Sequence, residues 1–158
     1  MKMTKQADLI KQFYEGFAEK NAAKMIACYH PDVKFEDPAF GKLSSARARG
    51  MWEMLMSNKD AVQKFSFDNI QVNGDTGTAN WIAEYVFGPN KRKVVNHVKA
   101  NFKFKDNLII EHKDEFSMWK WSRQALGLAG TILGWSPIIK NKVQSTANQR
   151  LDAYMQAK

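Results

Sequence analysis

The chain has a single cysteine, Cys28, in 158 residues, which excludes an internal disulfide framework. No cysteine–histidine cluster has zinc-binding spacing, and no glycine-rich loop of the phosphate-cradling kind is present. The sequence therefore implies no metal, no nucleotide and no other cofactor. Long apolar runs are missing too. The longest uncharged stretch, 124–139, is too short and too rich in glycine to cross a bilayer. The opening residues lack the apolar core of a signal peptide, so a cytoplasmic protein without a membrane partner is the default expectation. There are no internal repeats, low-complexity segments or Pro/Gly/Ser linkers. One domain over 1–158 follows, with a core at about 5–119 and a tail at about 120–158.

What is abundant is positive charge. The chain carries 24 Lys and Arg against 16 Asp and Glu, a net charge of +8. Nucleic-acid binding needs such charge gathered into a patch. Here the lysines are scattered along helices and outward strand positions, and only Lys91, Arg92 and Lys93 form a run, after the turn signal Gly88-Pro89-Asn90. No nucleic-acid partner is expected.

Residues 4–29 read as helix, broken near Glu19-Lys20-Asn21, with Thr4 as N-cap and Leu9, Ile10, Phe13, Phe17, Met25, Ile26 and Tyr29 at helical spacing. Cys28 lies in this apolar stretch and reads as a buried, inert thiol. A strand at 33–36 leads into Asp37-Pro38, 41–45 reads as loop, and Ser44 or Ser45 caps a helix to about 57. The period then changes to two. Strands are expected near 64–73, 78–87, 93–105 and 108–119, separated by turn signals at Asn73-Gly74-Asp75, Gly88-Pro89-Asn90 and Asp106-Asn107. This is an α+β pattern, with helices covering one face of an antiparallel sheet. A C-terminal extension rich in Trp and Gly ends in an amphipathic helix from about Pro137, its apolar side being Ile139, Val143, Ala147, Leu151 and Tyr154. This tail reads as a lid over the mouth of the domain or as a dimer contact.

Two short runs carry the chemistry. Asp37 follows strand-type residues and precedes a proline, which places it at a strand end. It either starts the turn, where aspartate is favoured, or serves as a proton carrier whose pKa is raised by apolar neighbours. In the last strand Ile110, His112, Asp114, Phe116 and Met118 share one face by alternation. Two ionisable groups then point at the core, where they persist only when paired or used. A register slip would put both outside.

Element order and the motifs Phe35-Glu36-Asp37-Pro38 and His112-Lys113-Asp114-Glu115-Phe116 resemble the nuclear transport factor 2-like superfamily, in particular its SnoaL-like proteins. Ketosteroid isomerase and limonene epoxide hydrolase are enzymatic cousins. The resemblance implies a curved antiparallel sheet forming a cone, with the N-terminal helices on its concave face and an apolar ligand inside. Asp37 is similar to the isomerase general base. The isomerase tyrosine position falls on Phe13, next to Tyr14, and its second aspartate falls near Ala100, which cannot donate a hydrogen bond. Asp114 is similar to the last-strand aspartate of the epoxide hydrolase, but the arginine–aspartate half of that triad falls near Asn80 and Ile82.

Two functions remain open on the sequence. One is an isomerase-, cyclase- or hydrolase-like enzyme acting on an apolar small molecule, with Asp37, His112, Asp114 and Tyr14 as catalytic candidates. Phe17, Trp52, Trp81, Asn96, Val98 and Phe116 would then line the cavity. The other is a non-catalytic ligand-binding or dimerisation module, with the tail or the sheet face carrying Lys99 and Lys103 supplying a homodimer contact.

Overall fold

The computed structural model describes residues 4–134 and 136–158; Trp135, part of the tail's tryptophan pattern, lies outside them. The elements run α1 (Lys5–Ala18), α2 (Ala22–Ile26), β1 (Tyr29–Asp37), β2 (Gly41–Leu43), α3 (Ser45–Ser57), β3 (Val62–Asn73), β4 (Thr76–Phe87), β5 (Arg92–Lys105), β6 (Leu108–Glu115), α4 (Met118–Leu126), α5 (Leu128–Leu133) and α6 (Pro137–Gln156). Thr4 caps α1 as its sequence position suggests, its side chain accepting from Ala7 N at 3.1 Å. The break falls where the polar stretch lies, with Lys20 at φ +55° and Asn21 capping α2.

The α+β architecture follows the sequence pattern: one curved, open sheet of six strands in the order β2-β1-β6-β5-β4-β3. The meander β3–β6 is antiparallel. β1 joins it in parallel against β6, with Phe35 opposite His112 and Glu36 opposite Lys113. This pairing has a functional result, because it carries Asp37 to the level of Asp114. Residues 41–43 form a short strand against β1 rather than loop, and β6 ends at Glu115, earlier than its hydrophobic pattern suggests.

The turn at Asp106-Asn107 has both residues at positive φ, +56° and +62°. Two such residues make the tight hairpin whose twist matches that of the flanking strands. A register irregularity then separates Lys103 opposite Glu111 from Phe104 opposite Ile109. The shift moves Ile109 rather than Ile110 into the core, while His112 and Asp114 keep the inward positions alternation assigns them.

The core lies between the sheet and the helices α1 and α3. Ile10 and Phe13 from α1, Met51 and Trp52 from α3, and Val33 and Phe35 from β1 are all buried. Fully burying each such side chain contributes about 1.5–3 kcal/mol. Phe13 joins the helix to the sheet through edge-on contacts to Tyr14, Trp52 and His112 at 5.2–5.5 Å.

The tail folds onto this frame. A Cβ on Gly130 would sit 1.9 Å from the carbonyl oxygen of Ser122, and one on Gly134 would sit 2.7 Å from the Ser122 side chain. The GxxxG spacing thus lets α5 approach α4 within the chain. Helix α6 is pinned back by Gln144 donating to Pro38 O at 3.1 Å and Asn148 donating to Phe40 O at 2.9 Å, while Arg47 reaches Asp152 at 2.5 Å. It therefore clamps the turn that Asp37 begins. Among the described residues, no helix is long and apolar enough to cross a membrane.

Candidate functional site

The inward face of β6 holds a relay of hydrogen bonds. Trp52 Nε1 donates to Tyr29 Oη at 2.8 Å, Tyr29 Oη lies 2.8 Å from His112 Nδ1, and His112 Nε2 lies 2.9 Å from Asp114 Oδ1. One proton arrangement satisfies every member. Tyr29, accepting from Trp52, donates its own proton to Nδ1, so the neutral imidazole carries its hydrogen on Nε2 and donates to the Asp114 carboxylate. His112 is only 1% exposed and Asp114 3%, so each is a costly group to bury unless paired. Aromatic rings enclose the imidazole, with Phe13 and Phe35 edge-on at 5.3 and 5.0 Å and Phe102 at 4.6 Å. His112 is locked in orientation and faces no open space.

Asp37 sits beside the outer end of this relay, and it has the features of both readings the sequence leaves open. It starts the turn, its Oδ1 accepting from the Phe40 N–H at 2.6 Å. Its pKa is also pushed up, from 3.8 to about 7. Burial against apolar walls is the largest cause, the charge of Asp114 and then of Glu36 add to it, and the N–H groups of Phe40 and Ala39 oppose it. A carboxyl with a pKa near neutrality gives and takes a proton with comparable ease at neutral pH.

Asp37 and Asp114 both open on a cavity of about 620 Å³. Five of the expected wall residues line it: Phe17, Trp52, Trp81, Asn96 and Phe116. Three other candidates stand elsewhere. Val98 is buried on the same face of β5 but is not part of the wall. Tyr14 and His112 are buried behind the wall. Among the described residues the Tyr14 hydroxyl has no hydrogen-bond partner, and it is held well above its ordinary pKa, by burial first and then by the charges of Asp114 and Tyr29. Alternation fixes the face a residue presents but not its depth, and all three lie on inward faces.

The structure settles the facing of Trp81. It stands on the inward row of β4 with Ala79, Ala83 and Tyr85, opposite Val98. Its indole Nε1 is buried with no hydrogen-bond partner among the described residues. Asn80 and Ile82, where the epoxide hydrolase resemblance places its other half, lie on the alternate row. Ala100 is directly opposite Asp114 and fully buried, so the position that would hold the isomerase's second acid contributes no donor.

Tyr85 was not among the sequence candidates, although it shares the inward row with Trp81. It lines the cavity, accepts from Trp121 Nε1 at 2.6 Å, and has its pKa raised to about 12 by burial, with the charge of Asp37 adding to the shift. Tyr29 is a second such residue, its pKa raised mainly by burial. Cys28, pushed up to about 12 by burial, is the inert thiol its surroundings suggest. Among the described residues, no group of three or more His, Cys, Asp or Glu side chains is placed to hold a metal ion.

Known proteins share this frame. A crystal structure of an NTF2-like protein of unknown function from Burkholderia pseudomallei K96243 superposes with a TM-score of 0.64 at 14% identity, covering 77% of this chain and 98% of that one. An epoxide hydrolase of M. tuberculosis resembling limonene epoxide hydrolase gives a TM-score of 0.63 at 16% identity, with 82% and 96% covered. A Catenulispora acidiphila protein with a ketosteroid isomerase-like fold, in complex with trimethylamine, gives 0.62 at 12% identity, with 78% and 95% covered. No curated protein matches the sequence. Identities this low establish the fold alone. The sequence itself goes further, because residues 10–112 match the profile of the SnoaL-like domain. The chain belongs to the SnoaL-like domain family.

Proposed function

We propose that the protein binds an apolar small molecule in the cavity and moves a proton on it, in an isomerase-, cyclase- or hydrolase-like reaction. The observation that carries this reading is the convergence of Asp37 and Asp114 on one apolar cavity, with Asp37 pushed up to about 7. Asp37 is the proton carrier. Asp114, fixed by His112, supplies a nearby negative charge that helps Asp37 keep its proton. Around the cavity the Trp81 N–H, Asn96 and the Tyr85 hydroxyl are candidate donors for charge that develops on an oxygen of the substrate.

A non-catalytic binding module is the second reading. It draws on the completeness of the relay, in which His112 and Asp114 satisfy each other, and on the Asp37 oxygen held by Phe40 N–H. The two readings separate in a deuterium-exchange assay, with a panel of apolar ketones and esters incubated in D₂O and read by NMR. The catalytic reading expects exchange of α-protons that falls about 100-fold or more in Asp37→Asn. Exchange equal in the parent and Asp37→Asn contradicts it.

A further inference from the structure

The cavity wall carries two polar sets, and the two differ in sign. One is the pair of carboxyls Asp37 and Asp114. The other comes from helix α6, which lies along the cavity with one face turned to it, and that face is not uniformly apolar. Ile139, Val143 and Ala147 give it greasy contacts, but Lys142, Thr146 and Arg150 line the cavity as well. Those three follow one another at intervals of four residues, one turn apart and about 6 Å along the axis per step. All three are exposed, so the cavity reaches the surface along this row.

Among the described residues, no ion pair or hydrogen bond engages the side chain of Lys142, Thr146 or Arg150. The acids nearby are taken, Asp152 by Arg47 and Glu53 by Lys158. Two free cations one turn either side of a hydroxyl, at the mouth of an otherwise apolar cavity, form a place for an anionic head group. The carboxyls of the same cavity repel such a group, which favours its placement on the cations with the apolar body against the rest of the wall. The row also stands outside residues 10–112, the span that matches the family profile.

We infer that the ligand is an amphipathic acid: an apolar body with one carboxylate, bound with that carboxylate at Lys142, Thr146 and Arg150 and with the apolar body against the rest of the wall. The inference rests on the cavity being the ligand site, as proposed above. It adds the chemical class of the ligand and its orientation.

Calorimetric titration with dodecanoate, dodecan-1-ol and dodecylammonium, each below its aggregation concentration, tests it. The expected result is single-site binding of dodecanoate about tenfold or more tighter than dodecan-1-ol, with dodecylammonium weakest. The double variant K142Q/R150Q should lose that preference and still bind dodecan-1-ol as the parent does. Equal affinity for acid and alcohol, a preference for the amine, or an equal loss for acid and alcohol in K142Q/R150Q overturns the rim assignment and leaves the cavity reading standing. Binding of none of the three overturns both.

Discussion

His112 Nε2 and Asp114 Oδ1 lie 2.9 Å apart on one strand, two residues from each other and both buried. The contact turns two groups that would each destabilise the core into one satisfied pair, and it anchors a relay that ends on Trp52 in the cavity wall. Removing one partner leaves the other buried and unpaired. His112→Phe is expected to cost about 3 kcal/mol or more, measured by urea unfolding. Replacing both, in His112→Phe/Asp114→Leu, should recover at least half of that loss. A double variant less stable than the single one would show that the pair is not the unit described here.

The proton arrangement of the relay gives a separate expectation for Tyr29. Tyr29→Phe removes the acceptor for Trp52 Nε1 and the donor to His112 Nδ1. A loss of about 2 kcal/mol is expected. The ¹⁵N shifts of the imidazole should move from a single tautomer, protonated on Nε2, to a mixture. An unchanged spectrum would contradict the arrangement.

Asp37 makes stability depend on pH in a defined direction. Its folded-state pKa is raised, to about 7 from 3.8. The folded chain therefore holds this proton more tightly than the unfolded chain does, and the group's contribution is full below about 4 and lost as pH rises toward 7. Asp37→Asn keeps an oxygen to accept from Phe40 N–H but cannot ionise. Its stability relative to the parent should rise between these pH values and level off above them. The difference is set at about 2 kcal/mol at pH 8, below the full linkage value because water reaches the cavity. Parallel pH profiles for the two proteins would contradict the assignment.

In the tail, Gly130→Ala drives a methyl group into the Ser122 carbonyl, which the unsubstituted chain approaches closely. Separating α5 from α4 should cost about 2 kcal/mol and raise hydrogen exchange in both helices. Gly74→Ala, with open space around the new Cβ but a φ of +62°, should cost about 1 kcal/mol. Equal effects of the two would count against tight α4–α5 packing.

Much of the fold and part of the site could be read from local patterns, since helix spacing and strand alternation are properties of neighbouring residues. The inward facing of His112 and Asp114, the N-cap at Thr4 and the apolar stripe of α6 through Ile139, Val143 and Ala147 all fall in this group. What stayed hidden depends on partners distant along the chain. Nothing around 29–37 announces a parallel strand partner at 109–113, and so nothing local shows that Asp37 and Asp114 arrive side by side. Tyr29 reads as the last buried residue of a helix, and Tyr85 as an ordinary strand aromatic, until Tyr29 is seen to open β1 and their bonds to Trp52 and Trp121 are seen. Val98, a wall candidate, and Tyr14, a catalytic candidate, lie on inward faces but are buried outside the cavity lining, because periodicity fixes the face of a residue and not its depth.

A ¹³C NMR titration of the aspartate carboxyl carbons, with Asp37→Asn and Asp114→Asn supplying the assignments, decides whether Asp37 is poised to carry a proton. The Asp37 carbon should titrate with a midpoint of about 7, and Asp114→Asn should lower that midpoint by removing the neighbouring charge. An Asp37 midpoint near the ordinary carboxylate value of about 4, unaffected by Asp114→Asn, would contradict that role.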